Sequence, residues 1–215
     1  MKYHGRISSI GLCLLIQTFY LLYFYFPDKN VDWVIWWSYP VLIAISYWTG
    51  KHYDKATFYS ERDPLTNLYN RRFVTLAFDK ILAIANRTNS NIFVLLIDCD
   101  HFKKINDQYN HQTGDMVLLQ ISQLLTANTR KSDIVARWGG DEFLIIGHHK
   151  DEAGLQVLLH RIQNESVNFS INMGFPISLS IGSATSSTSQ YQDLTSLLKI
   201  ADENMYRSKT KKVVT

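Results

Sequence analysis

The sequence is poor in cysteine and carries little net charge, and both shortages restrict what the protein can be. Its 215 residues include two cysteines, Cys13 and Cys99. Cys13 falls in an apolar run near the N-terminus and Cys99 ends a strand-like run, so the pair does not make a disulfide framework. Two buried thiols in a reducing compartment are favoured instead. The formal net charge of +3 is too small to indicate nucleic-acid binding by itself.

Charge is missing altogether from two long stretches near the N-terminus. The first, 7–26, has one amide, Gln17, and no charged residue. About 20 such residues in a helix match the hydrocarbon thickness of a bilayer. The second stretch, 33–49, is also uncharged and contains Pro40, which a membrane helix accommodates with a kink. These stretches predict a two-helix transmembrane hairpin over residues 1–49.

The charges around these stretches predict their orientation. Basic residues precede the first stretch and follow the second, whereas the connection 27–32 carries Lys29 against Asp28 and Asp32. The positive-inside bias therefore predicts that both ends lie in the cytoplasm and the connection outside. A cleaved signal peptide is one alternative, although a small-residue cleavage pattern is lacking. A buried soluble hairpin is another, although neither stretch has a polar face.

The remainder of the chain reads as a linker and one domain. Residues 50–62 are polar with interspersed aromatic side chains, and we predict that they continue the second helix as a linker. From Asp63 onward, helical and strand-like patterns alternate without repeats. The predicted elements are helices over 70–87, 114–129, 151–165 and 193–209 and strands over 92–99, 134–138, 142–147 and 177–184. Their order predicts an α+β domain over residues 63–215.

Acidic residues stand at the ends of two strand-like runs. Residues 98–100 (Asp-Cys-Asp) end one run, and Asp141 and Glu142 follow the turn signal Gly139-Gly140. Carboxylates there are costly to desolvate unless a cation pairs with them, and Mg²⁺ takes oxygen ligands that it shares with phosphates. Because glycine permits left-handed backbone angles, we expect a tight turn that a ligand can approach closely. The pattern is typical of phosphoryl or nucleotidyl transfer; the alternative is that acids simply crowd at strand ends.

The motif around the glycine pair identifies a family resemblance. Residues 137–143 (Arg-Trp-Gly-Gly-Asp-Glu-Phe) resemble the signature of GGDEF-domain diguanylate cyclases. Residues 63–73 are similar to the family's opening DxLTxLxNRRxF, and residues 98–107 resemble its DxDxFKxxND. The resemblance extends over nearly all of 63–209 with its spacing preserved. It implies a central, mostly antiparallel sheet flanked by helices, similar to the palm of nucleotidyl cyclases.

The resemblance also implies an activity. The protein would condense two GTP into cyclic di-GMP and two pyrophosphates, as a multi-pass protein of the bacterial inner membrane with its catalytic domain in the cytoplasm. Each domain would hold one GTP, so the reaction implies a homodimer, and cyclic di-GMP would be both product and inhibitor. One alternative is a catalytically weak receptor for GTP or cyclic di-GMP. Another is a cyclase that makes an adenine-containing dinucleotide, against which Asp115 argues because its carboxylate suits the donors of guanine.

The resemblance further implies a role for each site residue. The catalytic pair would be Asp141 and Glu142. The ligands of Mg²⁺, or of Mn²⁺ in its place, would be Asp98, the main-chain carbonyl of Cys99, Asp141 and Glu142. The residues that hold the guanine or the β- and γ-phosphates would be Asn106, Asp115, His111, Phe102, Lys103 and Lys209. For His111 and Lys103 the alternative is a solvated surface position. A product-inhibition site would be formed by Arg130 and Asp133, although Arg130 could also be a solvated residue at a helix end.

The sequence departs from the family pattern at two places. Asn110 stands where members usually have glycine, and because asparagine can adopt left-handed backbone angles we expect that turn to survive. Lys211 and Lys212 follow Lys209 where members commonly continue with a GRN-like sequence. An arginine implied to bind the triphosphate is therefore absent, and a lysine would replace it as a point charge but not as a bidentate fork.

Overall fold

The chain divides into two compact units, Met1–Glu61 and Arg62–Thr215. A computed structural model describes residues 3–28, 33–149, 152–186 and 193–213. Parts of two predictions lie outside the described residues. These are residues 29–32 of the predicted external connection, and the side chains of Lys211 and Lys212.

The first unit consists of two helices. α1 spans His4–Asp28 and α2 spans Trp33–Glu61. α2 passes through Pro40 without a break and includes residues 50–61 as its last turns. The two helices run antiparallel, because residues early in α1 contact residues late in α2.

The packing of α1 against α2 places small polar side chains inside and large apolar ones outside. The hydroxyl of Ser9 donates to the carbonyl of Ser46 at 2.7 Å, and Nε2 of Gln17, which is 6 % exposed, donates to the hydroxyl of Ser38 at 3.3 Å. Exposed apolar side chains of both helices include Leu12, Leu15, Phe19, Trp36, Trp37, Val41, Ile45 and Trp48. This polarity is the inverse of the arrangement that water favours.

Hydropathy distinguishes the two predicted membrane stretches. Among the described helices, one is long and apolar enough to cross a membrane: α1 over His4–Tyr23, with a mean hydropathy of 1.4. The predicted second stretch, 33–49, falls short because its serines, tyrosines and tryptophans lower its mean hydropathy. The structure therefore supports one candidate span, and the predicted pair of spans is not supported on this criterion.

The second unit is an α+β domain around a mixed five-stranded sheet. Its strands are β1 Tyr69–Asn70, β2 Asn91–Cys99, β3 Ile134–Arg137, β4 Glu142–His149 and β5 Leu179–Thr185. The order is β1-β3-β4-β2-β5. β1 pairs with β3 in parallel, and the other three pairs are antiparallel. The two-residue β1 was not predicted, because so short a segment has no periodicity.

Helices cover both faces of this sheet. They are α3 Arg71–Thr88, α4 Phe102–Tyr109, α5 His111–Asn128, α6 Glu152–Met173 and α7 Leu194–Val213. Alternate residues of β2 and β4 enter two separate cores, so Leu95 and Ile145 belong to one and Leu96 and Ile146 to the other. α6 continues beyond its predicted end at residue 165. The polar residues that follow indicated the end of the helix, but Phe169 is buried and continues its apolar face.

Asn110, which precedes α5, has a strained backbone. Its φ of 127° and ψ of 169° lie in a region that is essentially reserved for glycine. The sequence predicted left-handed helical angles at this position. The turn is present, but its backbone conformation is different. The Asn110 side chain compensates in part, because its Oδ1 accepts from the backbone N–H of Thr113 at 2.9 Å and caps α5.

We therefore expect Asn110→Gly to stabilise the domain by about 1 kcal/mol. Strain of roughly 1–3 kcal/mol is relieved, whereas exchanging an asparagine cap for glycine costs about a few tenths and glycine's greater freedom in the unfolded chain costs up to about 1 kcal/mol. Urea unfolding measures the change. Asn89→Gly is the matched control, because Asn89 has φ 48° and ψ 46°, which asparagine tolerates. A loss of stability in Asn110→Gly would show that the cap outweighs the strain.

Candidate active site

The two acidic clusters meet at one end of the sheet. Asp98 at the end of β2 lies directly opposite Glu142 at the start of β4 in the antiparallel ladder. The backbone N–H of Cys99 donates to the carbonyl of Asp141 at 3.2 Å. Directly opposed residues place their Cβ atoms about 5 Å apart on the same face, so these carboxylates share one small volume.

Two carboxylates of this cluster, Asp98 and Glu142, have a raised pKa. Burial raises the pKa of Asp98, and the charges of Asp141 and Asp100 raise it further. Burial likewise raises the pKa of Glu142, with further contributions from Asp98 and Asp141. Such a group of acids attracts a cation.

Lys209 on α7 supplies one positive charge to the cluster. Its Nζ lies 2.8 Å from Oδ1 of Asp98. Burial opposes the charge of Lys209, yet the hydrogen bond to Asp98 and the nearby acids leave its pKa raised. Asp98, Glu142 and Lys209 line a cavity of about 460 Å³ beside α7, together with Arg207.

The donors present suit a hard divalent cation in type and charge, but no complete metal centre is assembled. Within the described residues, no three His, Cys, Asp or Glu side chains are grouped so as to hold a metal ion. Asp98 is instead paired with Lys209. Burial and the neighbouring acids raise the pKa of the Cys99 thiol to about 12, so its sulfur stays protonated. The role of the Cys99 main-chain carbonyl as a metal ligand stays a prediction.

One glycine of the turn between β3 and β4, Gly139, is needed for a reason that the sequence did not predict. Neither Gly139 nor Gly140 has a positive φ, so the turn does not use the left-handed backbone freedom that glycine permits. A methyl group on Gly139 would lie 2.6 Å from Oε2 of Glu142, whereas one on Gly140 would meet no atom within 4 Å. Gly139 thus allows the Glu142 carboxylate to fold closely over the turn.

Arg137 fastens this turn to the start of the domain. Its Nη1 lies 3.1 Å from Oδ1 of Asp63, and its Nη2 donates to the carbonyl of Gly140 at 2.7 Å. Asp63 also accepts from the backbone N–H of Thr66 at 2.8 Å. Burial raises the pKa of Asp63, but these bonds outweigh it and leave the pKa lowered. Sequence reasoning missed this positioning role, although both residues stand at the edges of recognised motifs.

Asp100 has a similar positioning role at the end of β2. Its carboxylate accepts from the hydroxyls of Ser178 and Ser180, each at 2.6 Å. Its backbone N–H donates to the carbonyl of Ser178 at 2.9 Å. These bonds hold the chain where it leaves β2, just before His101 with φ 58° begins α4.

The predicted substrate-binding residues other than Lys209 lie on α4 and α5. Phe102, Lys103 and Asn106 belong to α4, and His111 and Asp115 to α5. A methyl group on Gly114 would overlap Oδ1 of Asn106, so that glycine allows the Asn106 side chain to lie against α5 next to the residue that precedes Asp115. Lys103 and His111 are exposed, and their roles stay predictions.

The other end of the domain carries a second cavity. Arg130 and Asp133 line it, and the backbone N–H of Arg130 donates to Oδ2 of Asp133 at 2.9 Å. Its volume is about 770 Å³, and it lies at the end of β4 remote from Glu142, about 24 Å away along the strand. Arg161 of α6 also lines it and donates to the carbonyl of Asn128. Sequence reasoning missed Arg161, because nothing in the local sequence of α6 indicates that it lines the same cavity as Arg130.

Comparison with known proteins decides the family. Residues 60–213 match the family model described as diguanylate cyclase, GGDEF domain. The chain belongs to the GGDEF family. Residues 139–143 are the GGDEF motif, and its Glu142 lies opposite Asp98 in the sheet.

Among curated GGDEF relatives, the chain is 40% identical over 149 residues to the diguanylate cyclase DosC of Escherichia coli. This match covers 68% of the chain and 32% of DosC. The chain is also 36% identical over 153 residues to the response regulator PleD of Caulobacter vibrioides, covering 68% of the chain and 33% of PleD. The chain thus matches about a third of the length of these relatives.

A solved structure supports the same assignment. The coiled coil and GGDEF domain of DgcB from Caulobacter crescentus, in complex with c-di-GMP, superposes with a TM-score of 0.68 at 28% identity. The match covers 75% of the chain and 86% of that structure. The mixed sheet flanked by helices is therefore the GGDEF fold.

Proposed function

We propose that the protein is a diguanylate cyclase that condenses two GTP into cyclic di-GMP and two pyrophosphates. The observation that carries the proposal is the juxtaposition of Asp98 and Glu142 across β2 and β4 with Lys209 beside them. In the reaction, the 3′-oxygen of each GTP attacks the α-phosphorus of the other. A new P–O bond forms at each centre, the bond to pyrophosphate breaks, and the hydroxyl proton leaves.

The side chains of the acidic cluster have distinct roles in this proposal. Glu142 accepts the proton from the attacking hydroxyl, and its raised pKa makes it a stronger base than an ordinary glutamate. Asp98 and Asp141, with the carbonyl of Cys99, would hold Mg²⁺ or Mn²⁺, which would neutralise developing charge on the phosphates. Lys209 holds phosphate oxygens.

α4 provides the second part of the phosphate site. The side chain of its N-cap residue, His101, does not cap the helix, so the first N–H groups of the helix, including that of Phe102, are available to phosphate oxygens. Lys103 adds a positive charge in the same turn. Asn106 and Asp115 then read the guanine edge, with His111 close by.

We expect Gly114→Ala to raise the apparent KM for GTP about tenfold with little loss of stability. The added methyl group displaces the Asn106 side-chain amide and lies 3.1 Å from Cζ of Phe102, both of them side-chain groups that can move aside. Losing a hydrogen bond from a binding site costs about 1–2 kcal/mol. Steady-state kinetics and thermal unfolding measure both effects. Gly11→Ala on α1 is the steric control, because its methyl group meets no atom within 4 Å. An unchanged KM in Gly114→Ala would mean that Asn106 does not read guanine.

We further propose a homodimer held at the membrane by α1 and α2. Two GTP must face each other, and one domain holds one of them. The exposed apolar side chains of both helices, the buried Gln17 and the half-buried Ser9 and Ser46 suit a lipid environment. The start of α1 and the end of α2 would then lie in the cytoplasm, as would the catalytic domain.

Product analysis tests the catalytic proposal directly. The full chain in detergent is incubated with GTP and Mg²⁺, and mass spectrometry identifies the products. Cyclic di-GMP and pyrophosphate in a ratio of one to two are expected. Tight binding of GTP or cyclic di-GMP without product would establish the receptor alternative instead.

The second cavity is a proposed site for product inhibition. Arg130 and Arg161 line it with one acid, Asp133, so its cationic side chains suit the two phosphates of cyclic di-GMP. Its distance from Glu142 means that a ligand there would act without occupying the catalytic site.

We expect Arg130→Ala to weaken inhibition by cyclic di-GMP about tenfold or more while turnover stays normal. Loss of a charge-assisted contact to phosphate costs about 1.5–3 kcal/mol. Inhibition curves at fixed GTP measure the shift. Lys131→Ala is the matched control, since it removes a neighbouring exposed charge that does not line the cavity. A curve that shifts equally in both variants would contradict the assignment.

A further inference from the structure

α1 is fastened to α2 near the point where α2 leads into the GGDEF domain. Oδ1 of Asp54 accepts the backbone N–H of Gly5 at 2.7 Å, and Oδ2 lies 3.2 Å from Nε of Arg6. The Asp54 side chain is 4% exposed and that of Arg6 is 13% exposed. The carboxylate therefore meets both the positive N-terminal end of α1 and a guanidinium away from water.

Aromatic rings hold the guanidinium in place. The Arg6 guanidinium carbon lies 4.8 Å from the ring centre of Tyr3 and 5.6 Å from that of Tyr47. Tyr3 precedes α1 and Tyr47 lies on α2. Both distances are within the range of a cation–π interaction, so Arg6 interacts with one ring next to the start of α1 and with another on α2.

The backbones of the two helices touch beside this ion pair. A methyl group on Gly50 would lie 2.6 Å from Cα of Arg6 and 2.7 Å from the carbonyl oxygen of Gly5. One on Gly5 would lie 2.9 Å from the carbonyl oxygen of Gly50. Glycine at both positions is what allows Asp54, one helical turn beyond Gly50, to reach the start of α1.

We propose that Gly5, Arg6 and Asp54 form a latch that couples α1 to the last turns of α2. Residues 50–62 were predicted to be a helical linker that continues α2, and the latch attaches that helix to α1 as far as Asp54. A displacement of α1 is thereby passed to the segment that continues covalently into Arg62. This makes α1 a route for an input signal. The contact does not depend on the proposed function, whereas its effect on turnover does.

Hydrogen–deuterium exchange of the full chain in lipid nanodiscs tests the latch. Arg6→Gln is expected to speed exchange in residues 3–10 and also in residues 54–61 by at least about tenfold, since it leaves the Asp54 charge buried without its partner. Asp54→Asn is expected to do the same, and the double variant is expected to add nothing further. Gly50→Leu, which forces the helices apart, should reproduce the effect without changing a charge. Lys51→Gln, an exposed change on the same helix, should leave exchange unaltered.

Turnover is measured on the same samples. Arg6→Gln and Asp54→Asn should each lower cyclic di-GMP formation by the same factor, about three- to tenfold. Without the latch, α2 no longer holds the two cyclase domains of the dimer in one orientation. Unchanged exchange in 54–61 in Arg6→Gln, or equal acceleration in Lys51→Gln, would overturn the latch. Accelerated exchange with unaltered turnover would overturn the signalling role. If the unmodified protein makes no product, the proposed function fails, and exchange alone still decides whether the latch exists.

Discussion

Glu142→Gln should lower turnover about a thousandfold while leaving the fold intact. The substitution preserves shape but removes the group that accepts the proton, and general base catalysis contributes about 10²–10⁴-fold. Glu142 lies directly opposite Asp98, so the substitution also removes one negative charge from the cluster that attracts the metal. Product formation under saturating GTP and Mg²⁺ measures the loss, with Glu165→Gln on the exposed face of α6 as the matched control.

The same substitution should raise stability at neutral pH in the absence of divalent cations. Folding raises the pKa of Glu142 above its ordinary value of 4.5, so the folded state binds the proton more tightly than the unfolded state. The resulting stabilisation is full below that ordinary value and is lost as pH rises through the raised pKa. Glutamine avoids this loss. Two results would contradict the assignment. One is near-normal turnover of Glu142→Gln. The other is a gain in stability over the unmodified chain that is smaller at pH 7 than at pH 4.

Gly182→Ala should destabilise the domain by about 3 kcal/mol, which corresponds to roughly 10 °C in Tm. Gly182 on β5 lies beneath α7, and an added methyl group would overlap the carbonyl oxygen of Ala201 and the backbone nitrogen of Met205. Backbone atoms cannot turn aside as a side chain can, so α7 must move away from the sheet. Thermal unfolding measures the loss.

Turnover should fall with stability in Gly182→Ala, by about tenfold or more, because α7 carries Lys209, whose Nζ lies 2.8 Å from Asp98. Gly140→Ala is the control for stability, since its methyl group meets no atom within 4 Å and its φ is not positive. We expect its free energy of unfolding to change by less than about 0.5 kcal/mol. Equal stability losses in the two variants would show that α7 does not pack closely on Gly182.

The local patterns of the sequence predicted most of the domain's helices and strands. The apolar run 92–99 and the helical periodicity of 70–87 match β2 and α3 to within one residue at each end. Both are continuous patterns bounded by polar residues, so nearby side chains decide them. The short β1 and the late end of α6 could not be predicted from local patterns. β1 depends on its pairing with β3 and on a bridge from Tyr69 to Arg62, and the end of α6 depends on burial of Phe169.

The family, the acidic clusters and the order of elements were legible in the sequence, because motifs and periodicity are local properties of the chain. Tertiary structure alone decided which of these residues meet. The opposition of Asp98 and Glu142, the ion pair of Asp98 with Lys209 and that of Arg137 with Asp63 all join distant segments. Such contacts depend on strand register and helix packing, and a register shift of one residue would turn each carboxylate to the opposite face of the sheet.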